Sequence, residues 1–453
     1  MLLKPELLSP AGTLRNLHYA FAYGADAVYA GQPRYSLRVR NNDFQSLENL
    51  ATGIQTAHDL AKRFYLAVNI APHNSKVKSF LTDLEPVVAL QPDALIMSDP
   101  GLILLARERW PAMPIHLSVQ ANTVNYAAVR FWQKLGLTRI ILSRELSLEE
   151  IAEIRQQCPD MELEVFVHGA LCIAYSGRCL LSGYMNHRDS NQGTCTNACR
   201  WGYQLHAAQE SASGDLSPVQ SPAQHSSQSC SSPVFLLEEA HRPGDYMPIF
   251  EDEHGTYIMN SKDLRAVQHV ARLAAIGVDS LKIEGRTKSH YYVARTAQVY
   301  RRAIDDAAQG RDFDLSLMDE LEKLASRGYT EGFYRRHVHD EYQNYQRGVS
   351  LGERQQFVGE VLSYDASRDL LEIDVKNRFV LGDQLELMLP TGNHFFTLSQ
   401  LEDREGNPLE VAKGSGHLVW IRAPAMDQAL GGLLLRKLPE QPGNSVETTE
   451  ISV

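Results

Sequence analysis

Four of the six cysteines, Cys172, Cys179, Cys195 and Cys199, fall in the stretch Glu164–Trp201 with the spacing C-x6-C-x15-C-x3-C. Glycines at 177, 183 and 193 let the backbone between them fold back on itself. Thiols gathered this densely can form disulfides, hold a structural zinc ion, or ligate an iron–sulfur cluster. Nothing marks the chain as secreted, and reducing compartments keep thiols reduced, which argues against disulfides. Zinc ribbons favour C-x2-C knuckles, and neither pair here has one. The radical-SAM spacing C-x3-C-x2-C is also absent, because Gly202 stands three residues past Cys199. Spacing alone leaves zinc and a thiolate-held cluster both open. The remaining two cysteines are poor ligands. Cys158 precedes Pro159 at an expected helix end, and Cys230 lies in a polar run.

Short apolar strands and amphipathic helices alternate over residues 1–170. The strands read Glu6–Ser9, Ala27–Ala30, Tyr65–Asn69, Ala94–Ser98, His116–Gln120, Ile140–Ser143 and Glu164–His168. Helical patterns between them include Thr13–Tyr23, Leu47–Lys62, Tyr126–Leu135 and Leu148–Gln157. This alternation predicts a parallel sheet, and without a glycine fingerprint for nucleotides it predicts a (β/α)8 TIM-like barrel. Ser280–Glu284, after a helical Leu264–Ile276, supplies the eighth strand. Thr256–Asn260 is expected in the cysteine-rich insertion, 168–260, paired with Tyr203–His206 or Phe235–Leu237. Each barrel strand ends in polar residues: Ser9, Gly31, Asn69, Asp99, Gln120, Arg144 with Glu145, His168, and Glu284 with Arg286. In this architecture the strand ends line one mouth, and the cysteine stretch leaves the seventh of them.

Residues 207–233 are serine- and glutamine-rich and predict a mobile loop. Helices Tyr291–Ala308 and Leu315–Ser326 close the barrel domain, 1–345. The segment RGYTEGFYRRHVHDEYQNY then mixes aromatics with Arg335, Arg336, His337 and His339, a composition that suits stacked bases and phosphates. An interdomain strap is the plain alternative. From Gln356 the pattern is all-β. Six short runs, Phe357–Ser363, Leu371–Val375, Gln384–Leu389, Phe395–Leu398, Leu418–Arg422 and Leu433–Leu438, predict a small C-terminal β-barrel over 355–440, with a disordered tail over 441–453.

A 43% hydrophobic fraction supports real cores, and 453 residues suit two or three domains. The net charge of −11 means that nucleic-acid binding must rest on local basic patches. No apolar run reaches the length of a membrane span, and MLLKPELLSPAG does not read as a signal peptide, so a cytoplasmic protein is expected.

Glu164, Phe166, Gly169, Ala170, Leu171, Cys172, Gly177, Cys179, Leu181 and Ser182 match, position by position, the signature of the collagenase-like peptidase family U32. The texts NQGTCTNACRW, NSKDLRA, SLKIEGRTKS, RGYTEGFY, KPELLSPAGTLRN and DAVYAGQPRYSLRVRNN resemble that family too. The likeness runs from about residue 4 to about 345, and more weakly to about 437. It is nearest the branch that forms 5-hydroxyuridine in tRNA. Members near that branch hydroxylate RNA or quinone precursors and are not proven proteases.

The resemblance implies a [4Fe–4S] cluster on Cys172, Cys179, Cys195 and Cys199. Some relatives carry a cysteine after the SKDL motif, where this chain has Arg265. It implies a tRNA hydroxylase acting at the 5-position of an anticodon wobble uridine, with the anticodon loop as partner. Prephenate, an anionic dicarboxylate, is the implied source of the hydroxyl group. Arginines hold carboxylates by paired hydrogen bonds, which makes Arg34, Arg38, Arg144 and Arg286, with Lys288, the candidates for that anion. Surface pairing with carboxylates is the plain alternative for each. His168, Glu145 and Glu284 are the acid/base candidates, and Arg335 and Arg336 the RNA-facing pair. Two other functions stay in view: a peptidase built on Cys172 and His168, which would leave three thiols unexplained, and an RNA-binding scaffold with a structural metal.

Overall fold

The computed structural model describes residues 4–32, 34–36, 42–70, 72–170, 263–324, 328–335, 355–414, 416–424 and 429–438, with short strands between 174 and 258. Arg38, Arg336, Cys172, Cys195, Cys199, Cys230 and the tail from 439 lie outside the described residues, and Cys179 is described by its backbone alone. The chain divides into two compact units, Met1–Leu321 with Ala325–Ser350, and Leu351–Val453 with Glu322–Leu324.

The first unit begins with β1 (Glu6–Pro10), α1 (Leu14–Ala22), β2 (Ala27–Gly31), α2 (Leu47–Asp59), β3 (Arg63–Val68), α3 (Asn74–Val88) and β4 (Ala94–Met97). It continues with α4 (Pro100–Arg109), β5 (Ile115–Leu117), α5 (Tyr126–Lys134), β6 (Arg139–Ile141), α6 (Leu148–Gln157) and β7 (Glu162–Ala170). Local chemistry starts these helices. Thr13, Ser46, Asp99 and Asn125 each accept a first-turn amide, and Ser147 with Glu150 forms a capping box before α6. Asp99 is therefore occupied as a cap, not as a mouth residue.

After β7 come a small hairpin, β8 (Ala174–Tyr175) with β9 (Arg178–Cys179), and an antiparallel sheet. The sheet contains β10 (Tyr203–Glu210), β11 (Leu216–Pro218), β12 (Phe235–Glu239), β13 (Tyr246–Asp252) and β14 (Gly255–Ile258), in the order β11-β10-β12-β13-β14. Two expectations are corrected here. Strand β14 pairs with β13, a strand that periodicity did not predict, because the hairpin turn between them is shorter than any route back to β10 or β12. Residues 208–210 and 216–218, expected in a mobile loop, pair with one another as strands, and Ala207 pairs with Phe235.

Next, β15 (Asp263–Arg265) lies antiparallel to the end of β7. It replaces the start of the helix expected from Leu264; only α7 (Val270–Ile276) is α-helical there. Strand β16 (Ser280–Ile283) then pairs in parallel with both β7 and β1 and closes the eight-stranded barrel. Helices α8 (His290–Ala308) and α9 (Ser316–Glu322) follow, and β17 (Tyr329–Thr330) pairs with β15.

The second unit contains β18 (Gln355–Asp365), β19 (Leu370–Val375), β20 (Phe379–Val380), β21 (Gln384–Leu389), β22 (Gly392–Thr397), β23 (Leu401–Glu402), β24 (Val411–Ala412), β25 (Leu418–Ile421) and β26 (Leu433–Lys437). All six expected strands are present. With β23 they form a seven-stranded antiparallel sheet, β22-β21-β26-β18-β19-β25-β23, beside a β20–β24 ribbon. Bulges in β18 bend the ladder, and its apolar residues, including Val358, Leu371, Ile373, Leu387 and Leu434, share one core.

Candidate active site at the barrel mouth

The inside of the barrel is charged. Glu6, on β1, accepts from Arg139 at 2.6 Å, from the Tyr65 hydroxyl at 2.7 Å and from the Ser280 hydroxyl at 3.1 Å. Arg139 also reaches Glu164 at 3.2 Å, and the other oxygen of Glu164 accepts from Lys282 Nζ at 2.8 Å. Glu164 is 0% exposed and Lys282 is 3% exposed. Burial pushes the Lys282 ammonium below its ordinary pKa, and the Arg286 and Arg139 cations add to this, against the pull of Glu164. Burial also acts to lower Arg139, but the carboxylates of Glu6 and Glu164 outweigh it and the net shift is upward. His116 sits edge-on to Tyr65, 4.7 Å between centroids, and burial followed by Arg139, Lys282 and Arg63 holds it well below the usual imidazole range.

Above this layer two rings carry cations. Lys282 Nζ lies 4.3 Å from the centroid of Tyr29 and 5.5 Å from that of Phe166. The Arg286 guanidinium lies 5.6 Å from Tyr29, and that of Arg144 lies 3.8 Å from Phe166. Arg286 donates to the Ser36 hydroxyl at 2.6 Å, and Glu145 is hydrogen-bonded to Ser143. Glu284 is buried, and its carbonyl accepts from the Tyr292 hydroxyl at 2.7 Å. Lys288 Nζ lies 5.4 Å from the Tyr292 ring. Strands β3 to β5 contribute neutral groups instead. The Asn69 amide donates to Ser118 at 3.2 Å and to Gln120 at 3.0 Å.

His168 is shut in rather than presented. It is 1% exposed, its ring packs against Tyr292, Tyr300 and Tyr329, and its Nε2 meets no hydrogen-bond partner. Burial first, then the Arg265 and Lys288 charges, holds its pKa down to about 3, so the ring is neutral. His168, expected as an acid/base group, is thus enclosed by these rings rather than open at the mouth. Close packing continues at the strand end. Gly169 has φ +99°, and a Cβ there would stand 2.5 Å from the Glu284 carbonyl oxygen. The segment from Tyr329 to Arg335 braces the same corner. The Tyr334 hydroxyl donates to the Phe166 carbonyl at 2.5 Å, and Glu331 contacts His269 and Arg335, each at 2.7 Å.

The structure thus groups Arg144, Arg286, Glu145, Glu284 and Lys288 at the ends of β6 and β16. Arg34 is paired elsewhere: its guanidinium is half exposed and meets Asp83 of α3 at 2.9 Å. Arg335 is paired with Glu331, and Cys158 is buried at the end of α6 as ordinary packing. Sequence reasoning missed Glu6, Arg139, Lys282 and the structural use of Glu164. Their signal was there: a single charge at the start of the apolar runs ELLSP and RIIL and within LEVFV and SLKI.

Residues 12–344 match the family described as Peptidase family U32, and residues 353–436 match the Peptidase family U32 C-terminal domain. The chain belongs to peptidase family U32. Among its relatives, tRNA hydroxylation protein P of Escherichia coli (strain K12) is 63% identical over 440 residues, 96% of this chain and 97% of that protein. The protein of the same name from Haemophilus influenzae is 61% identical over 445 residues, 96% of each chain. That from Helicobacter pylori (strain J99) is 40% identical over 354 residues, 77% of this chain and 76% of that protein. The donor chemistry in this U32 chain fits the iron–sulfur cluster that the family resemblance implies. The thiol-bearing segment leaves β7 directly after Ala170, on the side where the arginines gather, and thiolates are the ordinary ligands of such clusters.

Proposed function

We propose that this chain is a tRNA hydroxylase acting on the 5-position of an anticodon wobble uridine in the cytoplasm. Identity of 61–63% over 96% of the chain to proteins named for tRNA hydroxylation carries this reading. The finer assignments rest on the family resemblance and on the residues at the mouth. Cys172, Cys179, Cys195 and Cys199 would hold a [4Fe–4S] cluster, which supplies electron transfer when bound. Prephenate is the proposed hydroxyl source, and Arg286 and Arg144, with Lys288, are the groups that would fix its carboxylates. Their aromatic seats and the buried charges beneath them pre-set the positions, so that little ordering is left to the moment of binding. Glu145 and Glu284 are the groups we propose to hold a proton near a bound uracil. We read His168 as a support that fixes the end of β7. Arg335 and Arg336 are the proposed phosphate contacts.

The burial of His168 also weighs against a peptidase. A Cys172–His168 dyad needs an imidazole that takes up the thiol proton, and a ring with a pKa of about 3 does so poorly. Mass spectrometry of tRNA nucleosides tests the proposal, using cells that lack their own hydroxylation protein. Expression of this chain restores 5-hydroxyuridine, and Cys172→Ser abolishes it together with the bound iron. A chain that restores none, or that restores it without iron, contradicts the reading.

A further inference from the structure

Parallel barrels ordinarily fill their interior with layers of Val, Ile and Leu. Here Glu6, Arg139, Glu164 and Lys282 occupy that space as a continuous chain of ion pairs. Burying such pairs is seldom more stable than apolar packing of the same volume, so stability alone is a weak reason for their presence. The geometry offers another. Lys282 is the upper end of the chain, and its ammonium faces the same Tyr29 ring that seats Arg286 and the same Phe166 ring that seats Arg144.

We infer that Lys282 is a positioning residue for the mouth: anchored by Glu164, it fixes the Tyr29 and Phe166 rings and so sets the spacing of Arg286 and Arg144 for a dicarboxylate. The anchoring is strong because both carboxylate oxygens of Glu164 are used, one by Lys282 and one by Arg139, and neither side chain can swing without stranding a buried charge. Tyr29 is further pinned by its hydroxyl, which donates to the Ile283 carbonyl at 3.0 Å, next to Lys282. One ring therefore registers the lysine, the strand and an arginine together. Only the identity of the anion rests on the function proposed above.

The test uses the iron-loaded full chain and two variants. Glu164→Gln with Lys282→Met removes both charges while leaving Arg139 its hydrogen bonds with Glu6 and Glu162. Tyr29→Leu removes the shared ring and leaves the ion pairs intact. Each variant is crystallised, and prephenate binding is measured by calorimetry. We expect Arg286 to leave its seat in both, and Arg144 to leave its seat in the double variant. The dissociation constant for prephenate should rise about tenfold, as loss of one well-placed charge-assisted hydrogen bond would produce. KM for prephenate should rise in step while kcat, iron content and tRNA affinity hold. Arginines that keep their seats with unchanged prephenate affinity overturn the inference. If the wild-type chain binds no prephenate yet the arginines shift in the variants, the positioning role stands and the co-substrate assignment fails.

Discussion

Inside the barrel, Glu6, Arg139, Glu164 and Lys282 hold one another where apolar layers are usual, whereas the core of the C-terminal sheet is Val358, Val361, Leu371, Ile373, Val375, Phe379 and other apolar groups. Glu164, Lys282 and Arg139 are as buried as the apolar core, so the difference lies in what each interior demands of its members. Apolar packing is additive and tolerant: removing a methylene weakens dispersion locally and leaves a void. A buried charge network is coupled, since each member is tolerated only while its partner is present. A region that accepts this coupling at its centre has ordered side chains beneath its mouth, and that is where the proposed chemistry needs them.

Substitutions separate the two interiors most sharply. Glu164→Leu strands Lys282 and removes one of the three carboxylate partners of Arg139, and should cost about 3–5 kcal/mol in a denaturant titration. Adding Lys282→Met should recover part of that loss. In the sheet, Ile373→Ala should cost about 2–5 kcal/mol, and adding Leu371→Ala should deepen it. Recovery in the sheet pair, or none in the barrel pair, would break the contrast.

Acid probes the barrel through His168. The His168 pKa in the folded chain, about 3, lies below the ordinary 6.5, so the proton is taken up more readily when the chain unfolds. Stability is unaffected above pH 6.5 and falls as the pH drops towards 3. At pH 5 the loss from this group is on the order of 2 kcal/mol. His168→Gln removes the titration, so the difference between wild type and variant should shrink steadily from pH 7 to pH 5. A constant difference across that range would show that the ring is accessible to protons in the folded state.

A smaller effect belongs to Gly169→Ala. The positive φ and the close approach of the Glu284 carbonyl should cost about 1–3 kcal/mol. If thermal unfolding is unchanged, the end of β7 is looser than described. The smallest effect on stability is at the rim. Arg335 is largely exposed beside Glu331, and its replacement by Ala should cost less than about 1 kcal/mol. Together with Arg336→Ala it should weaken tRNA binding and make the salt slope shallower by roughly 0.7–0.9 for each phosphate that is no longer neutralised. Normal binding at every salt concentration would make the segment a brace and nothing more.

The barrel was readable because its strands are short apolar runs between capped helices, and the eighth strand, SLKI, carries the same signature as the first. Periodicity failed at Leu264. That residue continues a helical pattern, yet pairs with Gly169, a partner almost a hundred positions away that local pattern cannot reveal. At the mouth, Arg144, Glu145, Glu284 and Arg286 were visible as polar residues at strand ends. Arg34 was equally visible, but its pairing was not, because only the fold shows Asp83 beside it. The closure of His168 depends on rings from α8 and β17, which no spacing around residue 168 announces.

The central claim is that the cationic mouth over the charged interior serves tRNA hydroxylation. The most direct measurement is 5-hydroxyuridine content in tRNA from cells that depend on Arg286→Ala or Arg144→Ala, set beside the iron content and tRNA affinity of the same purified variants. The account predicts that hydroxylation falls by about tenfold or more while iron and tRNA binding stay at wild-type levels. Wild-type hydroxylation in both variants would contradict it.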